Sequence, residues 1–277
     1  MDQACNTIRS EFVRINDDFT IHFEESGSGD MPIVFIPGWT MSTKVFSRQL
    51  AHFLESNRWR AISYDPRGQG LTTKTIEGHS YQQHGRDLGA FISALGLKQV
   101  VLVGWSYGVL DAMAYLDQFG TDNVRAIVIL DGTPKPTGKD ATAEWVETEE
   151  SRRWGTMTPI EDRATFHREF AQWLLEDASP ENIEWITEIS SQTSGTVTAL
   201  LNETARYVDY ERLLIEVAKR KPVLVVAREE WRGQVSRWLN ANAPEVPLVV
   251  LGKHMMFWER AAAFNAEVTK FLDALDQ

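Results

Sequence analysis

Residues 100–108 read Val-Val-Leu-Val-Gly-Trp-Ser-Tyr-Gly. Four apolar residues run into a Gly-x-Ser-x-Gly group, and a helical pattern over 107–119 follows. A strand that feeds a helix through one sharp turn holds the central residue in a strained backbone conformation. Glycines at 104 and 108 remove the Cβ atoms that would collide in such a turn. The Ser106 hydroxyl is then expected above the carboxyl ends of parallel strands, where open α/β sheets hold their ligands. Amides at the start of the helix face the same spot and favour a negative oxygen. The five-residue pattern alone is a weak signal. With a strand before it and a helix after it, Ser106 becomes a candidate nucleophile.

The rhythm repeats on both sides of this turn. Apolar runs at 33–36, 60–64, 126–130, 222–227 and 247–251 have the character of strands buried on both faces of a parallel sheet. Amphipathic stretches at 45–55, 81–95, 107–119, 232–241 and 260–275 alternate with them and predict a doubly wound α/β architecture. Residues 12–15 and 19–23, joined by Asn16-Asp17-Asp18, read as an N-terminal hairpin. The alternation stops between Asp131 and Pro222. Helical patterns at 141–154, 160–175, 180–192 and 197–207 fill that gap and carry Trp145, Trp154, Trp173 and Trp185. The expected organisation is a core of residues 1–133 and 219–277 with a helical cap over 134–218. The four tryptophans are expected mainly to glue the cap to the core.

The chain has 277 residues, 43% of them hydrophobic, enough for a sizeable core and against intrinsic disorder. Lys plus Arg number 28 against 39 Asp plus Glu, a net charge of −11. That balance opposes binding to a phosphate backbone, so no nucleic-acid partner is expected. One cysteine, Cys5, excludes an intrachain disulfide and a cysteine-based zinc site. No apolar run approaches the ~18 residues of a membrane span, and no signal-peptide pattern opens the chain. A cytoplasmic setting without membrane association is expected; a homodimer is left open. Phosphate loops, dinucleotide fingerprints and His-Glu-x-x-His are absent, and the acidic residues are scattered. No metal and no cofactor is expected.

Further segments match the serine turn. Phe35-Ile36-Pro37-Gly38-Trp39, Tyr64-Asp65-Pro66-Arg67-Gly68-Gln69-Gly70 and Leu251-Gly252-Lys253-His254 stand in order around Gly104–Gly108. Together they resemble the α/β-hydrolase superfamily over nearly the whole length. The resemblance implies an eight-stranded, mostly parallel sheet with an inserted helical cap. It makes 35–39 the first oxyanion loop, 64–70 a scaffold turn in which Arg67 is structural, and 251–254 the loop that carries a catalytic histidine.

Six histidines are available: His22, His52, His79, His84, His167 and His254. Only His254 directly follows a late strand and sits in a loop before the last helix, where a base could reach the serine. His167, in the cap, is a minor candidate for touching substrate. The third member must be a carboxylate that orients the imidazole. Many relatives place it in a Gly-x-x-Asp loop after the strand matching 222–227. Here that stretch reads Ala227-Arg228-Glu229-Glu230-Trp231, with arginine in place of glycine and tryptophan in place of aspartate. The alternative family position is the end of the preceding strand, occupied by Asp131. Asp131 is the expected acid, with Glu229 and Glu230 as alternatives. The main-chain N–H groups of Tyr107 and Trp39 are the expected oxyanion donors. The side chains of Trp39, Trp105, Tyr107, Met255, Met256 and Phe257, around the nucleophile and the base, are expected to line an apolar pocket.

These residues suit hydrolysis of a carboxylic ester or lactone through an acyl-enzyme, acting on an apolar or aromatic small molecule. Serine at the turn disfavours the haloalkane dehalogenase and epoxide hydrolase chemistry of relatives that use a carboxylate nucleophile. A second reading follows from similarity to cofactor-independent 2,4-dioxygenases, carried by Pro37-Gly38-Trp39, Asp131 and Pro134-Lys135-Pro136. Those enzymes use a His–Asp base on hydroxyquinolone-type rings and tend to carry histidines beside the serine, where this chain has Trp105 and Tyr107. A third is a non-catalytic receptor on the same fold, which the full set of Ser106, Asp131 and His254 disfavours.

Overall fold

The computed structural model describes residues 7–140, 144–147, 153–154 and 162–275; Cys5 lies outside them. Strands β1 (Arg9–Asn16) and β2 (Phe19–Ser26) form the expected antiparallel hairpin. The others are β3 (Met31–Ile36), β4 (Trp59–Tyr64), β5 (Val100–Trp105), β6 (Val124–Leu130), β7 (Val223–Ala227) and β8 (Leu248–Val250). They make an eight-stranded sheet in the order β1-β2-β4-β3-β5-β6-β7-β8. The sheet is parallel from β4 to β8, and β2 joins β4 antiparallel.

Side chains alternate across each strand, and both faces are covered, so consecutive residues are all buried. Val34, Ile36, Leu102, Ile127 and Ile129 enter one cluster with α2 (Tyr81–Ala94) and α3 (Gly108–Phe119). Ile33, Phe35, Val103, Val128 and Leu130 enter the other with α1 (Ser47–His52). The helix expected over 45–55 is shorter than its pattern. A 3-10 turn at Thr43–Phe46 precedes α1. The chain then turns at Phe53 and Ser56, whose Oγ accepts the Trp59 N–H at 2.9 Å and admits the chain to β4.

Between β6 and β7 run α4 (Arg163–Leu174), α5 (Pro180–Ser191), α6 (Gly195–Ala205) and α7 (Glu211–Ala218). The first three follow the expected patterns. Asp162 accepts the Thr165 N–H at the start of α4, and Ser194 accepts the Val197 N–H at the start of α6. The fourth was not anticipated; its Leu214 and Val217 share a buried cluster with α3. Most of the helix expected over 141–154 lies outside the described residues; of the rest, 144–146 are bends and 153–154 are helical. Phe166, Phe170, Leu174 and Ile186 share a cluster with the sheet. The chain finishes with α8 (Arg232–Asn242), α9 (Met256–Glu259) and α10 (Ala261–Ala274). Among the described residues no helix is long and apolar enough to cross a membrane.

Candidate active site

Ser106 has φ 55°, the left-handed conformation expected of the residue between β5 and α3. Its N–H donates to Leu130 O at 2.9 Å, tying the turn to the end of β6. A Cβ on Gly108 would lie 2.3 Å from Ile36 O, and one on Gly104 would lie 2.6 Å from Gly108 O. Both contacts are with backbone, so neither could be relieved by a side chain moving aside. Gly108 is the condition for packing α3 this close to β3, and Gly104 for packing it this close to β5.

The Ser106 Oγ lies 3.0 Å from His254 Nε2. On the other side of the ring, Nδ1 is hydrogen-bonded to Asp131 Oδ2. Three residues far apart in the chain thus form one hydrogen-bonded row at the carboxyl ends of β5, β6 and β8. The Trp105 indole N–H donates to His254 O at 2.9 Å, so the residue before the serine anchors the histidine loop. The two glutamates weighed as alternatives do not reach the imidazole. Glu229 pairs with Arg232 at 2.8 Å, and Glu230 is largely exposed, 3.4 Å from Arg228.

The other histidines are engaged elsewhere. His22 pairs with Asp65, His52 with Thr269, His79 with Thr75 O and His84 with Asp111. His167 Nδ1 lies 2.6 Å from Ser190 Oγ, between α4 and α5, and does not line the cavity. Arg67 is held by Asp87 at 2.6 and 2.8 Å and lies over the Phe19 ring, a scaffold role.

Arg228, noticed in the sequence only as a missing glycine, is buried inside this row. Its main-chain N–H donates to Asp131 Oδ1 at 2.8 Å and its Nη1 to Asp131 Oδ2 at 2.7 Å. The same Nη1 lies 2.9 Å from His254 Nδ1. The guanidinium stacks over Trp231 at 4.0 Å. Burial alone would raise the Asp131 carboxyl. Arg228 and His254 outweigh it and hold the group below the usual carboxylate range. Burial lowers the His254 pKa, Asp131 pulls it up, and Arg228 pushes it down again, leaving it below the ordinary 6.5.

A narrow cavity of about 40 Å³ opens on Ser106 and His254. Its apolar walls are Trp39, Trp154, Phe170, Trp173 and Trp231, and Thr133, Glu147 and Asn202 add polar groups. Tyr107 also faces it. Burial first, then Glu147, which hydrogen-bonds the phenol, push its pKa well above the ordinary value. The loop of Gly38 and Trp39 presses on the serine, since a Cβ on Gly38 would lie 2.9 Å from Ser106 Cβ. The Trp39 indole donates to Thr198 O at 2.9 Å, linking that loop to α6.

The expected pocket residues Trp105, Met255 and Phe257 do not line this cavity, nor does Met256. All four are buried at 1% exposure or less. Trp105 packs on Phe257, and Phe257 on Phe46, beneath the histidine loop. Their nearness to the serine or the histidine is along the chain, whereas the walls come largely from other elements. The tryptophans of the helical segment divide. Trp154 and Trp173 face the cavity, while Trp145 packs on Trp238 and Trp185 stacks on Trp258. Among the described residues no group of three or more His, Cys, Asp or Glu could hold a metal ion.

Residues 31–156 match the family described as alpha/beta hydrolase fold. A non-heme haloperoxidase of Rhodococcus erythropolis is 33% identical over 123 residues, 44% of each chain. Such matches span about half the length of the curated relatives. The crystal structure of a bromoperoxidase from Bacillus anthracis superposes with a TM-score of 0.85 at 23% identity, covering 96% of this chain and 100% of that one. An esterase from Exiguobacterium antarcticum gives 0.82 at 22% identity, with the same coverage. The chain has the α/β-hydrolase fold.

Proposed function

We propose that the protein is a serine hydrolase that cleaves a carboxylic ester or lactone through an acyl-enzyme. The observation that carries this reading is the row Ser106–His254–Asp131, with Oγ 3.0 Å from Nε2 and the serine in a left-handed turn. In the proposed reaction Ser106 Oγ attacks the carbonyl carbon while its proton passes to His254 Nε2. The carbonyl oxygen becomes an oxyanion facing the main-chain N–H groups of Tyr107 and Trp39. The tetrahedral state collapses, and His254 gives its proton to the leaving alkoxide. Water, deprotonated by the same imidazole, then releases the acid and regenerates the serine. Asp131 holds the ring with Nδ1–H directed at itself and stabilises the imidazolium.

The esterase and haloperoxidase names among the relatives and neighbours are compatible with this chemistry. The aromatic walls of the cavity at Ser106 support an apolar acyl group. The test is labelling by a fluorophosphonate together with turnover of aryl acetates, short lactones and a hydroxyquinolone under oxygen monitoring. Labelling at Ser106 and ester or lactone turnover without oxygen uptake are expected. Oxygen uptake that survives Ser106→Ala would establish the dioxygenase reading instead.

A further inference from the structure

Arg228 is an unusual neighbour for an acid–base pair. It is 3% exposed, it contacts both oxygens of Asp131, and its Nη1 sits against the ring nitrogen that faces the same carboxylate. We infer that Arg228 is a positioning residue, clamping the Asp131 carboxylate in the His254 ring plane and keeping the buried acid–base site electrically neutral throughout the reaction. The inference rests on the hydrolase reading for its consequence on rate, but not for its consequence on the imidazole.

The clamp follows from geometry. Asp131 has φ 41°, and its own N–H donates to Val226 O at 2.7 Å. Its main chain is therefore fixed to β7, and its side chain could still rotate. Donors from both the main chain and the guanidinium of Arg228 remove that freedom and leave one approach for His254. The arginine is itself held by stacking on Trp231.

Asp131, Arg228 and His254 are buried, so their net charge stands in a low-dielectric site. A buried carboxylate with a neutral imidazole carries one net negative charge. When the imidazole takes a proton and an oxyanion forms, that net charge persists inside the aromatic cavity. An uncompensated buried charge is costly. With Arg228 present the Asp131–Arg228–His254 cluster is neutral at rest, and with imidazolium and oxyanion together it is neutral too; Glu147, on the same cavity and hydrogen-bonded to the Tyr107 phenol, is a separate charge. The accompanying cost is that the cation disfavours imidazolium until the oxyanion exists, so His254 waits unprotonated.

Other charged groups near His254 do not substitute for this one. Lys253 adjoins it in its own loop, and Arg153, Glu169 and Glu230 stand at the mouth of the cleft. Arg153 pairs with Glu169 at 3.2 Å, and both are more than a third exposed. Glu230 is 62% exposed and lies 3.4 Å from Arg228 Nε. Solvent screens these groups, whereas Arg228 and Asp131 are shielded from it.

The experiment is an NMR titration of the His254 imidazole in the full-length protein, assigned by loss of its signal in His254→Gln. It is run on wild type, Arg228→Met and Arg228→Lys, beside the pH profile of kcat/KM. In wild type the ring is expected to titrate below 6.5. In Arg228→Met its midpoint and the acid limb of the profile both move to higher pH, each unit of displacement being about a tenfold loss at acid pH. Arg228→Lys, which keeps the charge, stays close to the wild-type midpoint while losing rate through the weaker clamp. An unchanged midpoint in Arg228→Met overturns the inference, even where the rate falls. Should that variant fail to fold, a wild-type midpoint at or above 6.5 overturns it alone. Absence of fluorophosphonate labelling would instead remove the hydrolase reading and leave the titration result standing.

Discussion

Asp131→Asn isolates what one carboxylate does. The amide keeps the volume but cannot hold the Nδ1–H tautomer or stabilise the imidazolium. Under the proposed mechanism it should lower kcat by about 10⁴-fold, with KM for a short aryl ester little changed. Steady-state kinetics on folded variant check this. For wild type, the base must be neutral to act. Because the His254 pKa lies below 6.5, kcat/KM should be flat around neutrality and fall only as the pH drops below 6.5. A limb centred above 6.5 would contradict that assignment. Trp173 is a wall residue whose ring lies 5.1 Å from His254. Trp173→Ala should raise the ratio of hexanoate to acetate turnover, measured as kcat/KM on matched aryl esters. At this scale Ser106, Asp131 and His254 were readable because each ends or follows a strand within a local motif. Arg228 was not, because the carboxylate it clamps is 97 residues away and sequence spacing carries no sign of it. Trp105, Met255 and Phe257 misled for the converse reason: adjacency along the chain does not set which way a side chain points, and these face the core.

Helices and strands were more legible than their ends. The pattern of α4 to α6 gave their positions to within a few residues, because Asp162 and Ser194 cap and apolar residues recur at helical spacing. Helix α7 escaped because its eight residues follow a stretch already read as helical. Trp145 could not be told from Trp154 by pattern, since each only marks an apolar face. The α4–α5 contact carries its own prediction. His167 is buried against Ser190, and burial lowers its pKa from 6.5 to about 4. Between those values the unfolded ring takes up a proton that the folded ring refuses. Stability is therefore expected to decline as the pH falls from 6.5 to about 4, with no further contribution below. His167→Gln should flatten that part of the melting-temperature profile, and an unaltered slope would remove the argument.

Across the molecule, one hydrophobic cluster joins β3, β5 and β6 to α4, α5 and α10. Among the described residues, the helical segment between β6 and β7 has no separate core of its own in that cluster. Differential scanning calorimetry should record a single cooperative transition; an early transition that leaves the sheet intact would show an independently melting unit. The fold as a whole was legible because both sheet faces are covered, which leaves each strand a continuous apolar run.

The indole of Trp105, bonded to the carbonyl of His254, separates two engineering tasks. Ser106, His254 and Asp131 are pinned to one another through the sheet, while Trp154, Phe170 and Trp173 reach them from a different part of the chain. Mutant libraries aimed at those rings should recast selectivity while leaving the nucleophile–base spacing alone. A library at position 105 should behave oppositely, spoiling turnover of every substrate alike without altering preference among them.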